Sequence, residues 1–238
     1  MRAQARFRPF DGILWWLIVS IAVGLPAQAQ DTHDPKKLVT DAWTALGHFL
    51  DDPQQGRFRE TLPRAKGILI VPQLVRAGFI VGGAGGRGVL LAREPSGSNW
   101  SQPAFVNLSG ASLGLQAGAD ISEVIYLVMT DAGLEALMDS KVKLGGGVGV
   151  AGGDTGTGMG GDAGSDLISF GRGKGLYGGV VGKGMALEPD AAAIKAYYGV
   201  GASTEDILRK KKVYNRDASK LVSLVAKAAR PVAPTKKK

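Results

Sequence analysis

The sequence predicts an α+β fold in which a curved or barrel-like antiparallel β-sheet, rich in glycine, is flanked by N-terminal and C-terminal helices. Three observations predict it. Residues Ala65 to Arg93 read AKGILIVPQLVRAGFIVGGAGGRGVLLAR, a succession of short apolar runs broken by proline and glycine, the mark of consecutive strands joined by tight turns. Glycine makes up eighteen of the forty residues from Gly145 to Gly184. Large apolar groups such as Val148, Leu167, Ile168, Phe170 and Tyr177 are interleaved with it, which a flexible linker does not need and a tightly bent sheet does. Helical spacing, by contrast, gathers near the two ends of the chain.

The first segment carries the order of an export signal. Arg2, Arg6 and Arg8 form a basic start, Ile13 to Val23 an apolar stretch, and Ala27-Gln28-Ala29 a small-residue cleavage site. The apolar stretch is shorter than the ~20 residues of a spanning helix. With no cysteine in the chain, a disulfide framework, a thiol nucleophile, a Cys-based metal site and an anchor on an N-terminal cysteine are all excluded. The chain has 29 basic and 21 acidic residues; removal of three arginines and Asp11 leaves 26 against 20, an excess that favours anionic partners. For an exported chain those partners are membrane surfaces, not nucleic acid.

Asp34 is placed to cap a helix that has Pro35 at its first position. Leu38, Val39, Ala42, Trp43, Leu46, Phe49 and Leu50 then share one face, opposite Lys36, Lys37, Asp41 and Asp51. Such a helix packs on the core of its own domain more often than it enters a membrane. If it does contact a membrane, Trp43, Leu46, Phe49 and Leu50 form the contact. A short helix over Gly56 to Leu62 follows. Strands are expected over Ile68–Val71, Phe79–Val81, Val89–Arg93, Leu113–Ala117, Val124–Met129, Lys141–Leu144 and Leu176–Leu187, with a helix over Asp131–Asp139 capped by Asp131 and a tip at Gly152 to Gly164. Helices over Asp190–Tyr198, Thr204–Arg209 and Asp217–Ala229 complete the chain before a basic tail, Pro231 to Lys238. The boundaries are therefore a signal at 1–29, a domain at 30–212, and a C-terminal helix with a disordered tail at 213–238.

Several motifs resemble catalytic ones without their context. Gly83, Gly85 and Gly88 satisfy G-x-G-x-x-G, but a strand, Val89-Leu90-Leu91, follows where a dinucleotide site needs a helix N-terminus. Gly110-Ala111-Ser112-Leu113-Gly114 satisfies G-x-S-x-G, yet both histidines, His33 and His48, precede Ser112, and no elbow into a helix follows. Two isolated histidines make a poor transition-metal set. The aspartates of Gly153 to Gly164 lack the nine-residue period of a calcium repeat. No cofactor and no enzymatic activity are expected.

Beyond Ala65–Arg93, five further segments occur in a telling order: Asn99-Trp100-Ser101-Gln102-Pro103, Leu113 to Asp120, Lys143 to Val150, Ser169 to Val180, and Tyr197-Tyr198-Gly199 with Asp206-Ile207-Leu208. In this order, from about Pro35 to Leu208, the chain resembles the SYLF domain, the Ysc84-like lipid-binding family. The resemblance implies a non-enzymatic lipid-binding module, and in relatives an N-terminal amphipathic helix is implicated in membrane contact. The chain departs from the family pattern in having Gly171 and Gly173 where serines are common, and Asp154-Thr155-Gly156 where a proline is often found.

Glycines let backbone N–H groups approach a phosphate, and adjacent Arg or Lys supply charge and bidentate geometry. Lys66, Arg76, Arg87, Arg172, Lys174 and Lys183 are the candidate lipid-binding set on this ground. The expected function is that of a periplasmic or secreted protein, peripherally membrane-associated and contacting anionic phospholipid. The alternative is a structural or stress-related envelope protein with a protein partner. The sequence carries no signal for an oligomeric state.

Overall fold

A computed structural model shows one strand running unbroken for 26 residues, from Gly67 to Ala92, through the proline and the glycines of the first motif. Residues 34–95, 99–139, 141–146, 148–152, 165–173 and 184–231 are described, the side chains of 78–81 and 111–119 excepted. The expected signal at 1–29, all but Gly152 of the tip expected at Gly152 to Gly164, and all but Pro231 of the tail expected at Pro231 to Lys238 lie outside them.

The helices are α1 (Pro35–Asp51), α2 (Gly56–Thr61), α3 (Asp131–Met138), α4 (Ala191–Tyr198), α5 (Thr204–Leu208) and α6 (Ser219–Ala228). The strands are β1 (Gly67–Ala92), β2 (Ala104–Val128), β3 (Val142–Lys143), β4 (Val150–Gly152), β5 (Leu167–Arg172) and β6 (Ala186–Pro189). β2 is the spine: β1 pairs antiparallel along one edge, while β6 and β5 share the other, at residues 106–109 and 123–128. β3 lies outside β6, and β4 pairs with β5 as the one parallel neighbour among the described strands. The fold is α+β and its sheet otherwise antiparallel, as expected.

The strands expected at Ile68–Val71, Phe79–Val81 and Val89–Arg93 are one strand, and those at Leu113–Ala117 and Val124–Met129 are another. Of the strand expected over Leu176–Leu187, residues 176–183 lie outside the described ones, and its end falls in β6. Pro72, which marks a break in the sequence, sits at a register shift between Val71 and Leu74. A bulge is where a residue without an N–H fits inside a ladder.

What gives this ribbon its curvature is close backbone contact between its own halves. The Arg93 N–H donates to the Lys66 carbonyl at 2.7 Å, closing the end of β1 onto its start. A Cβ on Gly86 would lie 2.7 Å from the Gln73 oxygen, and one on Gly88 would lie 2.8 Å from the Ile70 oxygen. Only glycine permits this approach. The inner face so formed carries Leu69, Val71, Val124 and Tyr126, all buried.

The outer face packs on α1 and α2. Phe49, Phe58 and Phe170 form a chain of ring contacts, each 5.4 Å between centroids. Phe170 is in register with Ile125, and Ile125 with Ile70. On α1, Asp34 accepts from the Lys36 N–H at 2.8 Å, and Val39, Ala42, Leu46 and Phe49 are buried. Of the proposed membrane-contact set, Leu46 and Phe49 thus belong to the core, Leu50 is half-buried, and Trp43 is 43% exposed. α6 joins the same core through Leu221 and Val225, and the 3-10 turn just ahead of it, Arg216–Ala218, is tied to α1 by Lys36–Asp217 at 2.9 Å. The cap of α3 is Thr130, not Asp131: its hydroxyl accepts from the Gly133 N–H, because Thr130 is the residue left in extended conformation ahead of the first turn.

Candidate functional site

The closure of β1 onto itself creates a mouth. Pro63 to Lys66 enter β1 there, Ala92 to Pro95 leave it, and Asp131 and Leu134 of α3 and Leu208, Arg209 and Lys211 at the end of α5 complete a cleft of about 580 Å³. Arg64, Lys66, Arg93, Arg209 and Lys211 line it against two carboxylates, Glu94 and Asp131. The balance of the cleft is cationic.

Each basic group arrives by a distinct local cause. Arg93 is built in: its guanidinium donates to the carbonyls of Ala65 (2.8 Å), Pro63 (3.1 Å), Leu62 (3.3 Å) and Ala229 (3.4 Å) and stacks 4.8 Å over the Trp100 ring. Burial pulls its pKa below the usual arginine value, yet an arginine stays charged in proteins, so it is a fixed positive charge without a carboxylate partner among the described residues. Lys211 has φ 53°, the one non-glycine residue in the left-handed region among those described, and this reverses the chain after α5. Its ammonium reaches Glu94 at 2.8 Å. Lys66 meets Asp131 at 3.2 Å and Arg209 meets Glu135 at 3.1 Å. Arg64 is exposed and has no ion pair or hydrogen bond among the described residues.

The structure does not gather the six basic residues picked from the sequence. Lys66 belongs to the cleft. Arg87 lies in the seam between β1 and α4, 2.8 Å from Asp190, with side chains only 18% and 12% exposed. There burial pushes the Asp190 carboxyl up, but the Ala193 N–H and the Arg87 guanidinium outweigh it and hold it below its ordinary value. Arg172 is about 17 Å from the mouth along β2, at ~3.4 Å per residue, and bridges Glu123 (3.1 Å) and Asp52 (3.3 Å). His48 closes the same cluster, its Nδ1 2.7 Å from Glu123. This clasp fastens the end of α1 to the sheet. Arg76 faces the inner side of the ribbon, and Lys174 and Lys183 lie outside the described residues.

The motif readings resolve on backbone geometry. β1 continues through Gly83, Gly85 and Gly88 to Ala92, so no helix receives a pyrophosphate. Ser112 is a strand residue of β2 opposite Gly82, with no elbow. No group of three His, Asp or Glu side chains suited to a metal occurs among the described residues, and no described helix is long and apolar enough to cross a membrane. Arg64, Arg93, Arg209 and Lys211 were missed from sequence. The dense spacing of Arg64-Ala65-Lys66 and the Arg209 to Lys212 run were the available signals, but nothing local says that they meet.

Comparison with known proteins places this geometry. The Ysc84 profile, described as Las17-binding protein actin regulator, matches residues 109–228. SH3 domain-containing YSC84-like protein 1 of Bos taurus is 33% identical over 102 residues, 42% of this chain and 29% of that protein. LAS seventeen-binding protein 3 of Saccharomyces cerevisiae is 32% identical over 98 residues, 41% of this chain and 21% of that protein. Protein YSC84 of the same yeast is 32% identical over 96 residues, 40% and 20% of the two chains. The chain thus matches less than a third of the length of these relatives. No solved structure matches it.

Proposed function

The chain belongs to the Ysc84 (SYLF) family, and from that premise we propose that it is a non-enzymatic lipid-binding protein of the bacterial cell envelope that docks on anionic phospholipid. The cationic cleft at the closure of β1 is the observation that carries this reading. Arg64 stands there without a side-chain partner among the described residues, and Lys66 and Arg209 hold exposed carboxylates that a phosphate can replace at little cost. Basic side chains near an anionic surface contribute about 1 kcal/mol each, so three or four give roughly 3–4 kcal/mol, enough for weak and reversible association. The signal-like order of Arg2 to Ala29 supports export to the periplasm, with anionic phospholipid as the surface met there.

A protein partner is the second reading. Val75 and Ile121 are cross-strand neighbours on the outer face and are 41% and 61% exposed, an apolar pair beyond the reach of α1. The name of one yeast relative, LAS seventeen-binding protein 3, also denotes a protein partner.

Co-sedimentation of the protein with vesicles graded from pure phosphatidylcholine to phosphatidylglycerol-rich separates the two. Lipid docking gives binding that grows with anionic content and weakens with salt, since the Debye length is ~10 Å at 0.1 M. Absence of binding at every composition and low salt rejects it.

A further inference from the structure

The Arg93 guanidinium is spent on one side only. Nε donates to the Ala65 carbonyl at 2.8 Å, and Nη2 is shared among the carbonyls of Pro63, Leu62 and Ala229 at 3.1, 3.3 and 3.4 Å. Nη1 makes no hydrogen bond among the described residues and is not one of their buried unpartnered atoms, so water reaches it. Arg93 lines the cleft of about 580 Å³, and Nη1 is the part of its guanidinium left for a ligand there.

An arginine that closes on a ligand ordinarily gives up side-chain freedom to do so. Arg93 has given it up in folding, because the carbonyls fix one edge of its plane and the Trp100 ring, 4.8 Å away, fixes one face. Around it the cleft's lysines are matched, Lys66 with Asp131 at 3.2 Å and Lys211 with Glu94 at 2.8 Å. Arg64 and Arg93 remain as two charges without a carboxylate among the described residues. The donors stand on separate elements: Arg64 in the turn ahead of β1, Arg93 just past its end, and Arg209 at the end of α5. A planar carboxylate presents two oxygens in one plane, whereas the tetrahedral oxygens of a phosphate accept from several directions at once. The volume also leaves room for whatever the phosphate is esterified to.

We propose that the cleft is a discrete phosphate site in which the fixed Nη1 of Arg93 and the mobile arm of Arg64 hold the oxygens of one phosphate group, carried by a lipid headgroup or by a soluble phosphate ester. For the lipid source this rests on docking at the mouth, and it makes that docking a matter of hydrogen-bond direction as well as of charge.

The test is thermal unfolding of the full chain at constant ionic strength with inorganic phosphate, acetate, glycerophosphoglycerol, or dihexanoyl phosphatidylglycerol below its micelle concentration. Phosphate and both phosphodiesters are expected to raise Tm in a concentration-dependent way, and acetate to leave it unchanged. A response to the dihexanoyl lipid at lower concentration than to its deacylated headgroup assigns the lipid source, and an equal response assigns a soluble ester. Arg93→Lys keeps the charge but not the fork and is expected to weaken the phosphate response about tenfold or more, the usual loss for a hydrogen bond to a charged group. A purely structural Arg93 would lower Tm in that variant and leave the response to phosphate intact. If Arg93→Lys is unfolded by circular dichroism, a crystal structure of the wild-type chain grown in inorganic phosphate replaces it, with an oxygen expected within about 3.2 Å of Nη1. The proposal is overturned if phosphate leaves Tm unchanged, if acetate stabilises as well, if Arg93→Lys responds like wild type, or if that crystal shows no phosphate at Nη1. Vesicle binding that persists without a phosphate response sinks the discrete site and leaves docking by charge standing; a phosphate response without vesicle binding does the reverse.

Discussion

Arg87 and Arg64 are both arginines at the margin of the same long strand, and the fold uses them in opposite ways. In the seam between β1 and α4, Arg87 is shielded from water and held by Asp190, which also caps α4 through the Ala193 N–H. At the mouth, Arg64 faces solvent with no partner among the described residues, beside a built-in Arg93 whose guanidinium is tied to carbonyls and not to a carboxylate. The difference teaches that what an arginine does is set by whether the fold supplies its counter-charge. A seam that neutralises its one arginine holds the domain together, and a mouth that leaves Arg64 and Arg93 without a carboxylate among the described residues is the surface proposed to attract an anion from outside.

The largest effect expected from breaking this contrast is on the seam side. Arg87→Met removes one partner of a largely buried pair and should cost about 3 kcal/mol in urea denaturation, since the remaining charge stays behind. Next, Gly88→Ala drives a Cβ to 2.8 Å from the Ile70 oxygen and strains the closure that makes the mouth. Overpacking of this kind costs about 1–3 kcal/mol, and vesicle binding should fall with it because the cleft residues separate. Titration sharpens the seam further. The Asp190 carboxyl is held below its ordinary 3.8, so its contribution is fully present above that pH and is lost as pH falls through the lower folded value. The stability gap between wild type and Asp190→Asn should therefore be constant near neutrality and close only below about pH 4. The smallest stability effect is expected at the mouth, where Arg64→Ala should shift unfolding by no more than about 0.5 kcal/mol, as for other exposed positions.

Much of this contrast was hidden in the sequence for definable reasons. The first helix was legible because its signals are local: Asp34 to cap, Pro35 to start, and an apolar stripe at helical spacing. The unbroken length of β1 and β2 was not, because Pro72 and the glycines are turn signals that the fold absorbs as bulges and backbone contacts. Strand β5 was missed, since Leu167 to Arg172 sits within the glycine-rich stretch without an alternating pattern; all but Arg172 are buried. Arg87 and Arg172 looked available because Asp190, Glu123 and Asp52 lie 103, 49 and 120 residues away in sequence. The cleft needs Arg64 and Lys66 to meet Arg209 and Lys211, a meeting made by the return of β1 and the left-handed turn at Lys211.

The same reasoning fixes the place of α1. With Leu46 and Phe49 in the core and the His48, Glu123, Arg172 and Asp52 cluster clasping its end, the proposed membrane contact is assigned to charge at the mouth more than to this helix. Trp43→Ala should accordingly change vesicle binding less than any reversal of charge at the cleft.

The most direct measurement compares two double variants of equal charge in vesicle co-sedimentation with phosphatidylglycerol: Arg64→Glu with Lys66→Glu in the cleft, and Lys220→Glu with Lys227→Glu on the exposed side of α6. Docking through the cleft predicts that the first pair loses most of its binding and the second keeps most of it, both being folded by circular dichroism. Equal losses would mean that net charge alone attracts the protein to the surface, and an unimpaired cleft variant would contradict the assignment outright.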